Sequence, residues 1–125
     1  MKAKILLIED NEKNRYLATF LLEKNGFTVT HAFDGPAGID RATRECFDLI
    51  LLDIQLRGMD GYAVARELRA DPALATVPIV AVTSYAMVGD RDKALASGCN
   101  GFLEKPINPD TFVAEIKQHL RPPPP

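Results

Sequence analysis

Four stretches of this chain are continuously apolar and stop abruptly at polar residues. Ile5-Leu6-Leu7-Ile8 runs into Glu9-Asp10, Leu49-Ile50-Leu51-Leu52 into Asp53, and Ile79-Val80-Ala81-Val82 into Thr83-Ser84. The shorter Phe102-Leu103 runs into Glu104-Lys105-Pro106. Unbroken runs of this length match strands buried on both faces, the habit of parallel sheets. A fifth segment, Phe27 to Ala32, alternates apolar and polar residues, which predicts a strand with one wet side at a sheet edge.

Helical spacing fills the gaps. Leu17, Phe20 and Leu21, with Leu22 less regularly, predict an apolar face on a first helix closed by Gly26. Asp34-Gly35-Pro36 starts a second helix, with proline at its first position and Ile39, Ala42 and Cys46 as its buried stripe. Gly58 to Gly61 reads as a loop. Tyr62 to Ala70 follows as a helix turning Ala65 and Leu68 inward, ended by Asp71-Pro72. Met87 to Ser97 predicts a fourth helix capped by Gly98. Asn108-Pro109 caps a fifth, which buries Phe112, Val113, Ile116 and Leu120.

The order is strand then helix, five times. Alternating units with short connections imply α/β architecture with a parallel sheet and right-handed crossovers. Eight units would make a barrel; five predict an open, doubly wound, flavodoxin-like sheet with five helices. The expected strand order is 2-1-3-4-5, its switch point between the first and third strands. Asp10 and Asp53 end near that point, at the carboxyl edge where ligands of open α/β sheets bind.

Composition narrows the reading. The 125 residues are 46% hydrophobic and 26% charged, with a net charge of −2 from 15 basic and 17 acidic side chains. That suits one globular domain without disulfides and gives no basic footprint for direct nucleic-acid binding. No apolar run approaches the roughly 18 residues of a membrane span. The first residues do not read as a signal peptide, so a cytoplasmic protein without membrane insertion is expected. Cys46 and Cys99 lack metal or redox spacing and are expected to be packed, reduced thiols. His31 and His119 have no nucleophile or acid in their sequence context and read as structural or solvated. Residues 1–121 form the expected domain, and 122–125, all proline, a stiff tail or the stub of a linker.

The chemistry lies in the polar tips. Glu9, Asp10 and Asp53 brought together would repel one another unless a cation neutralises them, and a hard oxygen-liganded ion suits such a set. That ion is expected to be Mg²⁺, with Mn²⁺ as a substitute. Asp53, at the tip of the most buried strand, is the best candidate nucleophile: a carboxylate can take a phosphoryl group as an acyl phosphate. Lys105 would supply positive charge, and the Thr83 hydroxyl and nearby backbone N–H groups hydrogen bonds.

Glu9-Asp10, Asp53, Thr83-Ser84 and Lys105-Pro106 together resemble the receiver domain of bacterial two-component response regulators. The spacings of 30 residues from Asp53 to Thr83 and 22 from Thr83 to Lys105 agree with it. The resemblance covers residues 3 to 120. Ile8-Glu9-Asp10-Asn11, Asp53-Ile54-Gln55-Leu56 and Ala81 to Met87 look most like single-domain regulators of the cell-division type, with a chemotaxis-regulator-like fold. Receivers joined to hybrid histidine kinases share similar stretches.

The resemblance implies a phosphorylation switch. Asp53 would be phosphorylated by a histidine kinase or histidine phosphotransfer protein. Glu9, Asp10, Asp53 and the Gln55 backbone carbonyl would bind Mg²⁺, and Thr83 and Lys105 would contact the phosphoryl oxygens. The Lys105-Pro106 bond would be cis. Thr83 and Phe102 would act as switch residues, Phe102 without the hydroxyl of the tyrosine often found there. Gln55 and Tyr85 would govern access of water to the acyl phosphate, with Tyr85 slowing its hydrolysis. Arg57 stands where many receivers have proline and puts positive charge near the site. Asn14, Tyr16 and Leu17, with the Pro106-Ile107 loop, would dock the kinase. The fourth helix, fifth strand and last helix would present a surface to a downstream protein target, as a monomer or a weak phosphorylation-dependent dimer. The chain would not be an enzyme beyond its own phosphorylation and dephosphorylation. The rival reading, a Mg²⁺-dependent aspartyl-phosphate phosphatase or phosphotransferase, usually needs a second acid two residues past the nucleophile, where this chain has Gln55.

Overall fold

The structure is a computed structural model that describes residues 2–84 and 89–120. Five parallel strands, β1 (Lys4–Ile8), β2 (Thr28–Ala32), β3 (Leu49–Asp53), β4 (Ile79–Thr83) and β5 (Gly101–Glu104), form one sheet in the order β2-β1-β3-β4-β5. Between and after them lie α1 (Glu12–Lys24), α2 (Gly35–Arg44), α3 (Gly61–Ala70), α4 (Asp90–Ala96) and α5 (Phe112–His119). The strand order and fold class read from the sequence are those observed. Tyr85, the predicted start of the fourth helix at Met87, and the proline segment 122–125 lie outside the described residues.

The apolar runs conceal a period of two. Leu6, Ile8, Ile50, Leu52, Ile79 and Ala81 face one core with Ala42, Val64, Leu68 and Ala94. Ile5, Leu7, Leu49, Leu51, Val80 and Val82 face the other with Ala18, Leu22, Phe112 and Ile116. Because helices cover both faces, neither set can be polar, and the alternation disappears from the sequence.

Local signals place the helix ends. The side chains of Asn11, Asp34 and Asp60 accept from backbone N–H groups in the first turns of α1, α2 and α3. Gly98, at φ +105°, supplies the left-handed residue after α4. Gly61 answers a different need. A Cβ there would lie 2.5 Å from Ile54 Cα and 2.7 Å from the Asp53 carbonyl oxygen, so only glycine lets α3 start against the tip of β3.

Three helix expectations need correction. In α1 the buried residues are Ala18 and Leu22; Leu17 and Leu21 are half-buried, and Phe20 is 50% exposed. At about 100° per residue, Phe20 points nearly opposite to Ala18, so the small residue rather than the aromatic one marks the inward stripe. In α2 the buried residues are Gly35, Gly38 and Ala42, while Cys46 is exposed beyond the helix end at Arg44. Small residues let α2 approach closely: a Cβ on Gly38 would lie 2.4 Å from Ile8 Cδ1. Finally, α5 starts at Phe112, three residues after Pro109. Asn108 instead shapes the preceding turn: its carbonyl accepts from the N–H groups of Thr111 and Phe112, and its side chain from that of Asp110.

Candidate functional site

The register of the sheet explains which polar tips meet. Ile5 and Leu7 in β1, Leu49 and Leu51 in β3, and Leu103 in β5 point toward the α1/α5 side. Two residues further along each strand come Glu9, Asp53 and Lys105, which the same alternation carries to that side. There Lys105 Nζ lies 2.8 Å from Glu9 Oε1 and 3.2 Å from Asp53 Oδ1. The three side chains are 10%, 5% and 3% exposed, so the ion pairs are shielded from water. Asp10, half-buried, completes a set in which one oxygen from each of Glu9, Asp10 and Asp53 lies within 4.8 Å of the others. The Lys105–Pro106 peptide bond is cis.

The buried Glu9 and Asp53 carboxylates share one ammonium, and Asp10 has only an exposed guanidinium beside it, which leaves the cluster short of positive charge. The strain falls on Glu9, whose pKa rises from 4.5 to about 7. Burial is the main cause; the Asp53 carboxylate adds to it and Lys105 opposes it. Such a set, all oxygen and without histidine or cysteine, suits a hard divalent cation.

Thr83 belongs to the other side of the sheet by register, in line with Ile79 and Ala81. It is buried, and the Gln55 amide nitrogen donates to its hydroxyl. Gln55 Oε1 accepts from the Ser84 N–H at 2.9 Å, and the Gln55 N–H donates to Asp53 Oδ1 at 3.0 Å. Gln55 therefore joins Thr83 to the acid cluster through its side chain as well as its backbone. The sequence offered no signal for that bridge, because it depends on the spacing of two loops. Phe102, half-buried in β5, packs against the α2/α3/α4 core, and the Arg91 guanidinium lies 5.9 Å from its ring centre.

Two basic residues hold the acids from outside. Arg15 donates to the Glu9 carbonyl at 3.1 Å. The Arg57 N–H donates to Asp10 Oδ2 at 3.0 Å, while its exposed side chain lies 3.9 Å from the same oxygen. A proline at position 57 could not make the first of these bonds. Of the two histidines, His31 is exposed and bonded to Thr19 Oγ1 at 2.8 Å, and His119 closes over Gly101. Neither touches the cluster.

A model of the response regulator receiver domain matches residues 5–117. The chain belongs to this family. Its members are signalling phosphoacceptors of two-component systems, not enzymes in the ordinary sense, and they interact with histidine kinases and downstream targets. Receiver domains bind Mg²⁺ in an acidic pocket, and the Glu9, Asp10 and Asp53 carboxylates are the acidic cluster of this one. The chain is 38% identical to the response regulator PleD of Caulobacter vibrioides over 97% of its length, spanning 27% of that protein. It is 36% identical to the polar-differentiation response regulator DivK of Brucella anthropi, covering 96% of this chain and 98% of DivK. Among solved structures, it is similar to the receiver domain of sensor histidine kinase PA1611 from Pseudomonas aeruginosa, which carries a magnesium ion in its active-site cleft. That match has a TM-score of 0.87 at 35% identity and covers 95% of this chain and 98% of the other. Among the described residues of this receiver, no helix is long and apolar enough to cross a membrane.

Proposed function

We propose that Asp53 is the phosphoacceptor of a signalling switch, charged by a histidine kinase or histidine phosphotransfer protein. The observation that carries this reading is the placement of the buried Asp53 carboxylate, 3.2 Å from Lys105 Nζ and within 4.8 Å of the Glu9 and Asp10 oxygens. A carboxylate oxygen of Asp53 attacks phosphorus, the phosphorus–nitrogen bond to the donor imidazole breaks with its electron pair leaving on nitrogen, and an acyl phosphate results. Lys105, already paired with Asp53, turns its charge to the transferring oxygens. The Thr83 hydroxyl and the Ser84 N–H donate to the same oxygens once they leave Gln55.

The residues that would hold Mg²⁺ are Glu9, Asp10, Asp53 and the Gln55 carbonyl. When bound, the ion would neutralise the acids and the phosphoryl charge. The chemistry of the donor set supports this, and so does the raised pKa of Glu9, whose carboxylate is buried and lies against that of Asp53.

Thr83 and Phe102 are the proposed movers, and the surface of α4, β5 and α5 is the proposed readout. A ligand shifts a two-state equilibrium only through contacts that differ between the states, and the Thr83 and Lys105 contacts to phosphoryl provide that difference. A second reading, that the chain is the receiver portion of a larger regulator or hybrid kinase, draws support from its likeness to PleD and to the PA1611 receiver.

Intact mass after incubation with Mg²⁺ and acetyl phosphate tests the acceptor. A gain of about 80 Da, absent in Asp53→Asn and in chelator, is the expected result. A gain of equal size in Asp53→Asn refutes the assignment.

A further inference from the structure

The Gln55 side chain spans two loops, the one leaving β3 and the one leaving β4. A carboxamide offers one acceptor and one donor group, and here each is used. The Ser84 N–H can only donate, so Oε1 must face it, which turns the amide nitrogen toward the Thr83 hydroxyl. The backbone N–H of the same residue is bonded to Asp53 Oδ1. Thr83 is 1% exposed and Gln55 half-buried, so water competes poorly for the Thr83 contact.

These are the groups that a phosphoryl on Asp53 would need. The Ser84 N–H has one proton, so Gln55 Oε1 and a phosphoryl oxygen exclude each other there. The Thr83 hydroxyl can rotate its proton, but its side chain is held where Gln55 meets it. We propose that the Gln55 carboxamide is a resting-state clamp that competes with the phosphoryl group for Thr83 and Ser84. Gln55 is thus a positioning residue: it fixes the β4 tip in the unphosphorylated form and weakens the hold on phosphoryl by the bonds that must be exchanged. This inference rests on the reading of Asp53 as acceptor, and it concerns the side chain of Gln55, separate from the backbone carbonyl assigned to the metal.

The test uses Gln55→Leu, which keeps the bulk and loses both bonds, and Gln55→Ala, which loses the bulk as well. Two quantities are read: amide hydrogen exchange of Ser84 in metal-free protein, and affinity for beryllium trifluoride, a phosphoryl mimic for carboxylates, by fluorine NMR with Mg²⁺ present. Exchanging a net hydrogen bond or two predicts Ser84 exchange about 10-fold faster and beryllium trifluoride binding about 3- to 10-fold tighter in both variants. Unchanged Ser84 exchange in both overturns the clamp. Faster exchange with unchanged or weaker binding overturns the competition. Wild-type protein that neither binds beryllium trifluoride nor takes up phosphoryl overturns the acceptor reading itself, a failure distinct from wild-type binding that the variants leave unaltered.

Discussion

The two rims of the sheet both hold a cation among oxygens, and they hold it differently. At the amino-terminal rim, Arg69 of α3 donates to the carbonyls of Gly98 (2.9 Å), Leu74 (2.8 Å) and Val77 (2.6 Å) and to Asn100 Oδ1 (2.6 Å). Asn100 Oδ1 also accepts from Ile79 N–H. One guanidinium thereby ties the end of α3, the 3-10 turn Pro72–Leu74, the start of β4 and the turn before β5 into one network. These four acceptors are neutral, and they are placed to suit a planar donor fork. At the carboxyl-terminal rim, Lys105 is shared by the buried Glu9 and Asp53 carboxylates, which one ammonium cannot neutralise, and Asp10 has only the exposed Arg57 side chain 3.9 Å away. A network whose hydrogen bonds close on themselves is suited to stability. One left short of positive charge, at the open carboxyl ends of its strands, is suited to taking a ligand.

Removing each cation separates the two roles. Arg69→Met leaves carbonyls without their donor and should cost about 2–4 kcal/mol in urea unfolding. Added Mg²⁺ should not restore it, and phosphoryl uptake per folded molecule should stay near wild type. Lys105→Met should cost less, about 1–3 kcal/mol, because Glu9 can take up a proton to relieve the unpaired charge. Millimolar Mg²⁺ should recover most of that loss. Recovery of the Arg69 variant by Mg²⁺, or none for the Lys105 variant, would contradict the contrast between the rims.

The unequal legibility of the two rims follows from what each is made of. The apolar runs ending in Glu9-Asp10, Asp53, Thr83 and Lys105 announce both the parallel sheet and its polar edge, because strand tips carry the chemistry in chain order. The lower rim left almost no trace in the sequence. Arg69 reads as one more exposed helical charge, and nothing local reveals that it meets Asn100, 31 residues away. The same holds for the Gln55 bridge to Thr83, 28 residues away, and for the bond from the Arg57 N–H to Asp10. Helix faces failed where bulk was taken as the guide: Phe20 and Cys46 point outward, while Ala18 and Gly38 face the core. Periodicity reports which residues share a face, but packing distance decides which face turns inward.

A smaller effect sharpens the electrostatic half of the contrast. The carboxyl group of Glu9 has a pKa of about 7 in the folded metal-free protein, against 4.5 as its ordinary value. Between these values the folded state binds more protons than the unfolded one, so this group's contribution to stability falls as pH rises. Below about pH 4.5 and above about pH 7 it is constant. Other carboxylates titrate in the same range, so the useful quantity is the difference between wild type and Glu9→Gln. In urea titrations without metal, wild type should lose stability relative to Glu9→Gln from pH 4.5 to 7, and saturating Mg²⁺ should flatten the difference. A difference that is constant with pH would show that Lys105 already balances Glu9.

The smallest effect concerns the thiols, which report on the lower rim without disturbing the upper one. Cys46 is exposed beyond α2, whereas Cys99 is buried beside the Arg69 network. Burial pushes the Cys99 thiol up to about 11, and the nearby Arg69 charge offsets only part of that. At pH 8 the Cys99 thiolate is therefore scarce as well as shielded, and the thiolate is the reactive form. Iodoacetamide should place a single alkyl group on the native protein, at Cys46. That modification should move the unfolding free energy by no more than about 0.5 kcal/mol, as expected for an exposed site. Cys99 should react only through opening of the lower rim, and so much faster in Arg69→Met, in which that opening is easier. Equal alkylation of both thiols in the native wild type would mean that the rim held by Arg69 is not closed.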